Sequence, residues 1–138
     1  MRHGEAVFVD SGAWIALALS KDQLHAQAME QWDILRDAGA KLHTSLPVVI
    51  ETFTFLDRNA NRDVALLWKD SIYKAGTVKI VPCELRDLEQ CWVYFRRRDL
   101  HKLSAVDATS FTIMKRAQIR IAYAFDHHFL TAGFRLVT

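Results

Sequence analysis

The sequence has little of what usually makes a chain easy to classify. It holds only two cysteines in 138 residues, Cys83 and Cys91. Their eight-residue separation fits neither a zinc ligand pair nor a C-x-x-C redox motif, so a disulfide scaffold and a cysteine zinc site are both disfavoured. The two thiols are expected to be reduced, at least one as a small core residue, with a cytoplasmic address. There is no strong charge of one sign: 18 Lys and Arg stand against 16 Asp and Glu, a net +2. No whole-molecule field therefore advertises nucleic acid, and any such role must rest on local clusters. No apolar run approaches the roughly 20 residues needed to span a bilayer. Arg2 followed by an apolar stretch ending in Ala16-Leu17-Ala18 imitates a cleaved leader, but Asp10 interrupts its centre, so none is expected. Repeats, low-complexity tracts, a P-loop and a G-x-G-x-x-G turn are absent too, which argues against nucleotide binding of those kinds.

What is present is an ordinary globular composition, 51% apolar and 25% charged, at a length that suits one domain over residues 1–138. Five runs have strand character: "AVFV" (6–9), "KLHT" (41–44), "TVKIV" (77–81), "IRIAYAF" (119–125) and "FRLV" (134–137). Helical spacing links Leu24, Ala28, Trp32 and Leu35, and again Leu85, Leu88, Trp92 and Phe95. Pro47 suits the first turn of a helix, and Ser104 suits the N-cap of another that runs from Ala105 to Ala117. Strands alternating with helices predict a three-layer α/β/α domain with a mostly parallel sheet. Ligands in such folds sit beyond the carboxyl ends of the strands, where the strand order reverses.

Two strands end alike, "AVFVD" at Asp10 and "IAYAFD" at Asp126. Alone, Asp10 reads as a turn residue or helix cap, and Ser104-x-x-Asp107 as a capping box. Glu51 is harder to set aside, being the only charge from Pro47 to Leu56, and a buried carboxylate without a partner shifts its pKa or binds a cation. In a doubly wound fold all four acids can converge on one pocket. Two carboxylate charges about 4 Å apart repel by roughly 4 kcal/mol at an effective dielectric of ~20, so four would require a counter-charge. Oxygen ligands without cysteine select Mg²⁺ or Mn²⁺ over zinc, and such ions commonly serve phosphate chemistry.

Four segments, "VFVDSGAWIALA", "TSLPVVIETFTFL", "LSAVDATSFTIMKR" and "AYAFDHHFLTAGFRLV", together resemble the successive motifs of PIN-domain ribonucleases, especially the VapC-type toxins of type II toxin–antitoxin pairs. The resemblance implies a five-stranded parallel sheet of order 3-2-1-4-5 and an acidic site that cleaves RNA with one or two Mg²⁺ or Mn²⁺ ions. It carries the four family acids onto Asp10, Glu51, Asp107 and Asp126. It also implies products with 5′-phosphate and 3′-hydroxyl ends, a cognate antitoxin held in a groove of the early helices, and a homodimer. Many relatives have a further acid where this chain has His128, which bears on whether a second ion binds. An RNA-processing PIN nuclease without an antitoxin, and an inactive PIN domain that binds RNA or protein, remain the alternatives.

Several residues keep two readings. Ser11 either orients the site, as the resemblance implies, or simply begins a helix. Thr44 and Ser45 line the pocket or cap the Pro47 helix. His127 and His128 form a solvated turn or touch substrate phosphate; a zinc site built on two neighbours is disfavoured. Arg96, Arg97, Arg98 and Lys102 form a solvated face or a track for an RNA backbone, which Lys115, Arg116 and Arg120 could extend. Trp14 and Trp32 are core or interface anchors. Haloacid dehalogenase-like phosphatases need D-x-D after the first strand, where Gly12 takes the second place, and a receiver domain needs an aspartate where this chain has "VPCE".

Overall fold

Short β-branched runs separated by helices can bury their apolar faces by stacking helices on both sides of one sheet, and the computed structural model of the chain has this arrangement. It describes residues 1–74 and 76–137. The strands are β1 (Ala6–Val9), β2 (Lys41–Ser45), β3 (Val78–Val81), β4 (Ile121–Tyr123) and β5 (Arg135–Leu136), all parallel and ordered β3-β2-β1-β4-β5, as expected. The helices are α1 (Ser11–Ala18), α2 (His25–Asp37), α3 (Leu46–Asn59), α4 (Arg62–Ile72), α5 (Leu85–Cys91), α6 (Ala105–Ala117) and α7 (His128–Thr131), with a 3-10 turn at Trp92–Arg96. No helix among the described residues is long and apolar enough to cross a membrane.

The central strands are covered on both faces: Val7, Phe8 and Val9 of β1 and all of β4 are buried. Only three of the seven residues in "IRIAYAF" form β4, because the chain then leaves the ladder towards Asp126. Ser45 caps α3 by accepting from the Val48 N–H at 3.3 Å, with Pro47 in the first turn. Ser104 caps α6 by accepting from the Asp107 N–H at 3.0 Å. Helix α6 is buried without interruption from Asp107 to Met114. Phe111, one turn after Asp107, meets Tyr94, Phe129 and Phe134 with ring centroids 4.9–5.8 Å apart. That aromatic cluster sets the depth and rotation of the helix that carries Asp107.

Two elements depart from the sequence reading. Helix α4 was not anticipated, although Asn61 caps it through the Val64 N–H at 2.8 Å and Ala65, Trp68 and Ile72 line its buried face at helical spacing. Helix α5 turns its other face inward. Leu85, Leu88, Trp92 and Phe95 are exposed, while Asp87, Cys91 and Tyr94 are buried. The cause is an ion pair: Arg116 grips the fully buried Asp87 at 2.8 and 2.9 Å, and Asp87 also accepts from the Glu84 N–H. Both cysteines are free, and Cys91 is a core residue.

Candidate functional site

Strand order reverses at β1, which is flanked by β2 on one side and β4 on the other. The crevice beyond the carboxyl ends of these strands is where an open α/β sheet leaves room for a ligand. Asp10 follows β1 directly and continues the ladder through its N–H to the Tyr123 carbonyl at 3.0 Å. The Thr44 hydroxyl donates to the Val9 carbonyl at 2.9 Å and accepts from the Trp14 indole at 3.3 Å, clamping the start of α1 to the end of β2. Ser45 is buried in its capping role, and Ser11 is the half-buried first residue of α1.

Asp10 occupies the N-cap position of α1 but makes no capping hydrogen bond. It is 4% exposed, and its Oδ1 has no hydrogen-bond partner among the described residues. Such an oxygen is costly unless something positive or protic approaches it. Burial pushes the carboxyl up to about 7; the Ser11 N–H eases it, and the charges of Glu51 and Asp126 add to the rise. Asp107 is also buried, and burial followed by the charges of Asp10 and Asp126 pushes it up to about 8. The capping box expected at Ser104 is only half used: Ser104 accepts the Asp107 N–H, while the Asp107 carboxyl hydrogen-bonds to Asp126.

Asp126 behaves differently. Burial works to raise it, but hydrogen bonds from the His128 N–H and ring, with one from Asp107, outweigh burial and hold it below the usual carboxylate range. The His128 N–H donates to Asp126 Oδ1 at 2.9 Å, and ring Nδ1 lies 3.0 Å from Oδ2. Ring Nε2 lies 2.6 Å from the His101 carbonyl oxygen. His128 is therefore not part of a solvated turn; its side chain is 12% exposed and opens α7, whereas His127 is exposed.

Asp107, Asp126 and His128 each bring one ligand atom within 4.8 Å of one another. Of these three, the imidazole is already engaged at both ring nitrogens, Nδ1 beside Asp126 and Nε2 beside the His101 carbonyl. The available donors are carboxylates, and Asp10 and Glu51, though outside that tight group, are near enough for their charges to act on Asp107. The arrangement is an oxygen cluster with an unpartnered buried oxygen and more negative charge than its surroundings balance. It suits a divalent cation.

Comparison with known proteins agrees with this fold. Residues 7–135 match the PIN domain. The chain belongs to the PIN-domain family. It is 36% identical over 129 residues to the 23S rRNA-specific endonuclease VapC20 of Mycobacterium tuberculosis, covering 93% of this chain and 95% of that protein. The crystal structure of M. tuberculosis VapC20, described as a sarcin–ricin loop cleaving toxin, superposes with a TM-score of 0.82 at 34% identity, over 93% of this chain and 95% of that one. VapBC2 from Rickettsia felis, bound to a DNA fragment from its promoter, shares the fold alone, with a TM-score of 0.68 at 8% identity over 95% of this chain and 96% of that one.

Around the acids of this PIN domain the cations divide into two groups. Arg97 pairs with Asp99 at 2.6 and 3.0 Å and donates to the Thr131 carbonyl at 3.1 Å, while Arg98 and Lys102 are exposed. Arg116 does not extend this strip, because Asp87 and the Pro82 carbonyl hold it, and Lys115 lies over the Tyr94 ring. Elsewhere on the PIN domain, α1, α2 and α4 enclose an open groove of about 440 Å³ lined by Trp14, Met29, Trp32, Leu67 and Trp68 among others. Trp14 packs on both Trp32 and Trp68, and the buried Trp68 indole N–H has no acceptor among the described residues. The family resemblance implies a groove in the early helices, and Trp14 of α1 and Trp32 of α2 line this one. The third wall, α4, was missed, though the Ala65, Trp68, Ile72 spacing could have revealed it.

Proposed function

We propose that this PIN-domain protein is a metal-dependent endoribonuclease that acts as the toxin of a toxin–antitoxin pair. The observation that carries the reading is the meeting of Asp10, Glu51, Asp107 and Asp126 beyond the strand ends, with one Asp10 oxygen buried and unpartnered. These four carboxylates are the residues that would hold Mg²⁺ or Mn²⁺, one ion or two, since hard cations prefer an all-oxygen set. When bound, such an ion supplies charge to the phosphoryl oxygens and makes water a competent nucleophile near neutral pH.

The chain's own groups supply the rest. Asp107, shifted upward beside a downward-shifted Asp126, is the better suited of the two to carry the proton of their hydrogen bond in the metal-free chain. Asp126, kept ionised by His128, is suited to orient a water or to accept its proton. Arg98 and Lys102 lie on the segment joined to Asp126 through His128 and His101, where they can follow an RNA backbone without reading its sequence. Ribosomal RNA is the first substrate to test, because the relative at 36% identity is named for 23S rRNA.

The groove of α1, α2 and α4 supports an antitoxin over an RNA-processing enzyme that acts alone: Leu67, 70% exposed, borders a tryptophan-floored groove whose apolar lining suits an amphipathic segment. Exposed Ile50 and Phe55 on α3, with Trp92 and Val93 beyond α5, offer apolar area for a homodimer. The test of the enzymatic reading is incubation of purified protein with ribosomal RNA in Mg²⁺, in Mn²⁺ and in EDTA, beside Asp107→Asn. Discrete fragments with 5′-phosphate ends are expected, lost in EDTA and at least about 100-fold weaker in the variant. Undiminished cleavage in either control would overturn it.

A further inference from the structure

The family reading leaves His128 without a role, since it stands where a carboxylate is common and both its ring nitrogens are engaged by protein oxygens. Its surroundings supply one. The imidazole lies between two oxygens: the Asp126 carboxylate at 3.0 Å from Nδ1 and the His101 carbonyl at 2.6 Å from Nε2. The first belongs to the acidic site; the second lies twenty-seven residues earlier, in the segment that joins the 3-10 turn to α6. A second tie runs alongside, from Arg97 to the Thr131 carbonyl on α7. Between these ties the segment turns sharply, and Lys102 takes a left-handed φ of 53°, uncommon for a residue with a long side chain. Such a conformation persists when neighbouring contacts fix it.

We propose that His128 is a positioning residue with two separable arms. The Nδ1 arm sets the orientation of Asp126, and the Nε2 arm latches the Arg97–Leu103 segment beside the site so that Arg98 and Lys102 face incoming RNA. This proposal rests on the ribonuclease reading for its effect on turnover, but the latch itself does not.

The arms can be removed one at a time. In His128→Asn the amide nitrogen stands near the place of Nδ1 and cannot reach His101; in His128→Gln it stands near the place of Nε2 and gives up the ring's bond to Asp126. His128→Asn is expected to raise KM for an RNA oligonucleotide about tenfold with kcat within twofold, and to reduce the salt dependence of RNA binding. His128→Gln is expected to keep KM within twofold and lose kcat about tenfold. Limited trypsin digestion reads the latch without any activity: cleavage after Arg98 and Lys102 is expected to quicken at least fivefold in His128→Asn and to stay near the wild-type rate in His128→Gln. Equal kinetic losses in the two variants, or equal trypsin rates in wild type and His128→Asn, would overturn the proposal. Wild-type protein that cleaves no RNA, with the trypsin contrast intact, would instead overturn the ribonuclease reading and leave the latch standing.

Discussion

Replacing Asp10 with Asn is expected to stabilise the metal-free protein, and to do so more at high pH than at low. Asp10 rises from 3.8 in an unfolded chain to about 7 in the fold, chiefly through burial. Below 3.8 the carboxyl is neutral in both states and ionisation costs nothing. As pH climbs, the unfolded chain ionises first, so the fold progressively loses stability across the window from 3.8 to about 7. At 1.36 kcal/mol per pKa unit, roughly three units correspond to a loss of about 4 kcal/mol above that window, and about 1.5 kcal/mol at pH 5. An amide never ionises, and it leaves one buried polar atom no worse partnered than Asp10 Oδ1 already is. In EDTA, urea titrations should therefore show Asp10→Asn more stable than wild type by about 1–2 kcal/mol at pH 5 and about 3–4 kcal/mol at pH 8, or on the order of 10 °C in Tm at pH 8. Mg²⁺ should close the gap by stabilising wild type alone, since a ligand that binds only the folded state shifts unfolding by mass action. A variant that is less stable than wild type at pH 8 in EDTA, or whose advantage does not grow with pH, would show that Asp10 is not a strained carboxylate awaiting a cation.

Glu51→Gln should weaken Mn²⁺ binding by about 10-fold or more in calorimetry, because it removes one negative charge from a cluster that already acts on Asp10 and Asp107. Arg116→Ala should destabilise the protein by about 3–5 kcal/mol in urea while leaving RNA affinity unchanged, since it strands the buried Asp87 rather than removing a substrate contact. Phe111→Ala should cost about 3–5 kcal/mol by emptying the centre of the aromatic cluster, and any loss of kcat should be recovered by the cavity-filling Phe111→Leu. Leu67→Asp should abolish pull-down by a co-expressed antitoxin without changing RNA cleavage, because the groove shares none of the four acids.

The acids were legible because each sits at a punctuation mark of the chain. Asp10 and Asp126 end strands, Glu51 interrupts an apolar helix, and Asp107 lies three residues past a serine cap, positions from which side chains in a doubly wound sheet can converge on one pocket. The sheet order required the family resemblance, and the pairings then followed it. What stayed hidden depends on contacts between distant segments. The inward face of α5 is decided by Arg116, twenty-nine residues beyond Asp87, against a leucine spacing that suggests the opposite face. The His128 contact with His101 ends on a backbone carbonyl, which every residue has and no sequence marks. Helix α4 escaped because its apolar residues are split between a buried face and the groove: Leu66 and Leu67 are exposed while Ala65 and Trp68 are not.

The four acids lie on four segments, made in the order Asp10, Glu51, Asp107, Asp126, and the last of them follows a strand that must slide in beside β1 before it reaches the others. A growing chain folds from its N-terminus, yet β1 cannot be flanked on both sides until β4 has emerged. A half-made chain thus displays apolar strand edges and scattered carboxylates, but no site. For a protein proposed to cut RNA, and itself translated from RNA by ribosomes, this topology acts as a timing device: the blade is assembled only once β4 and Asp126 have been made.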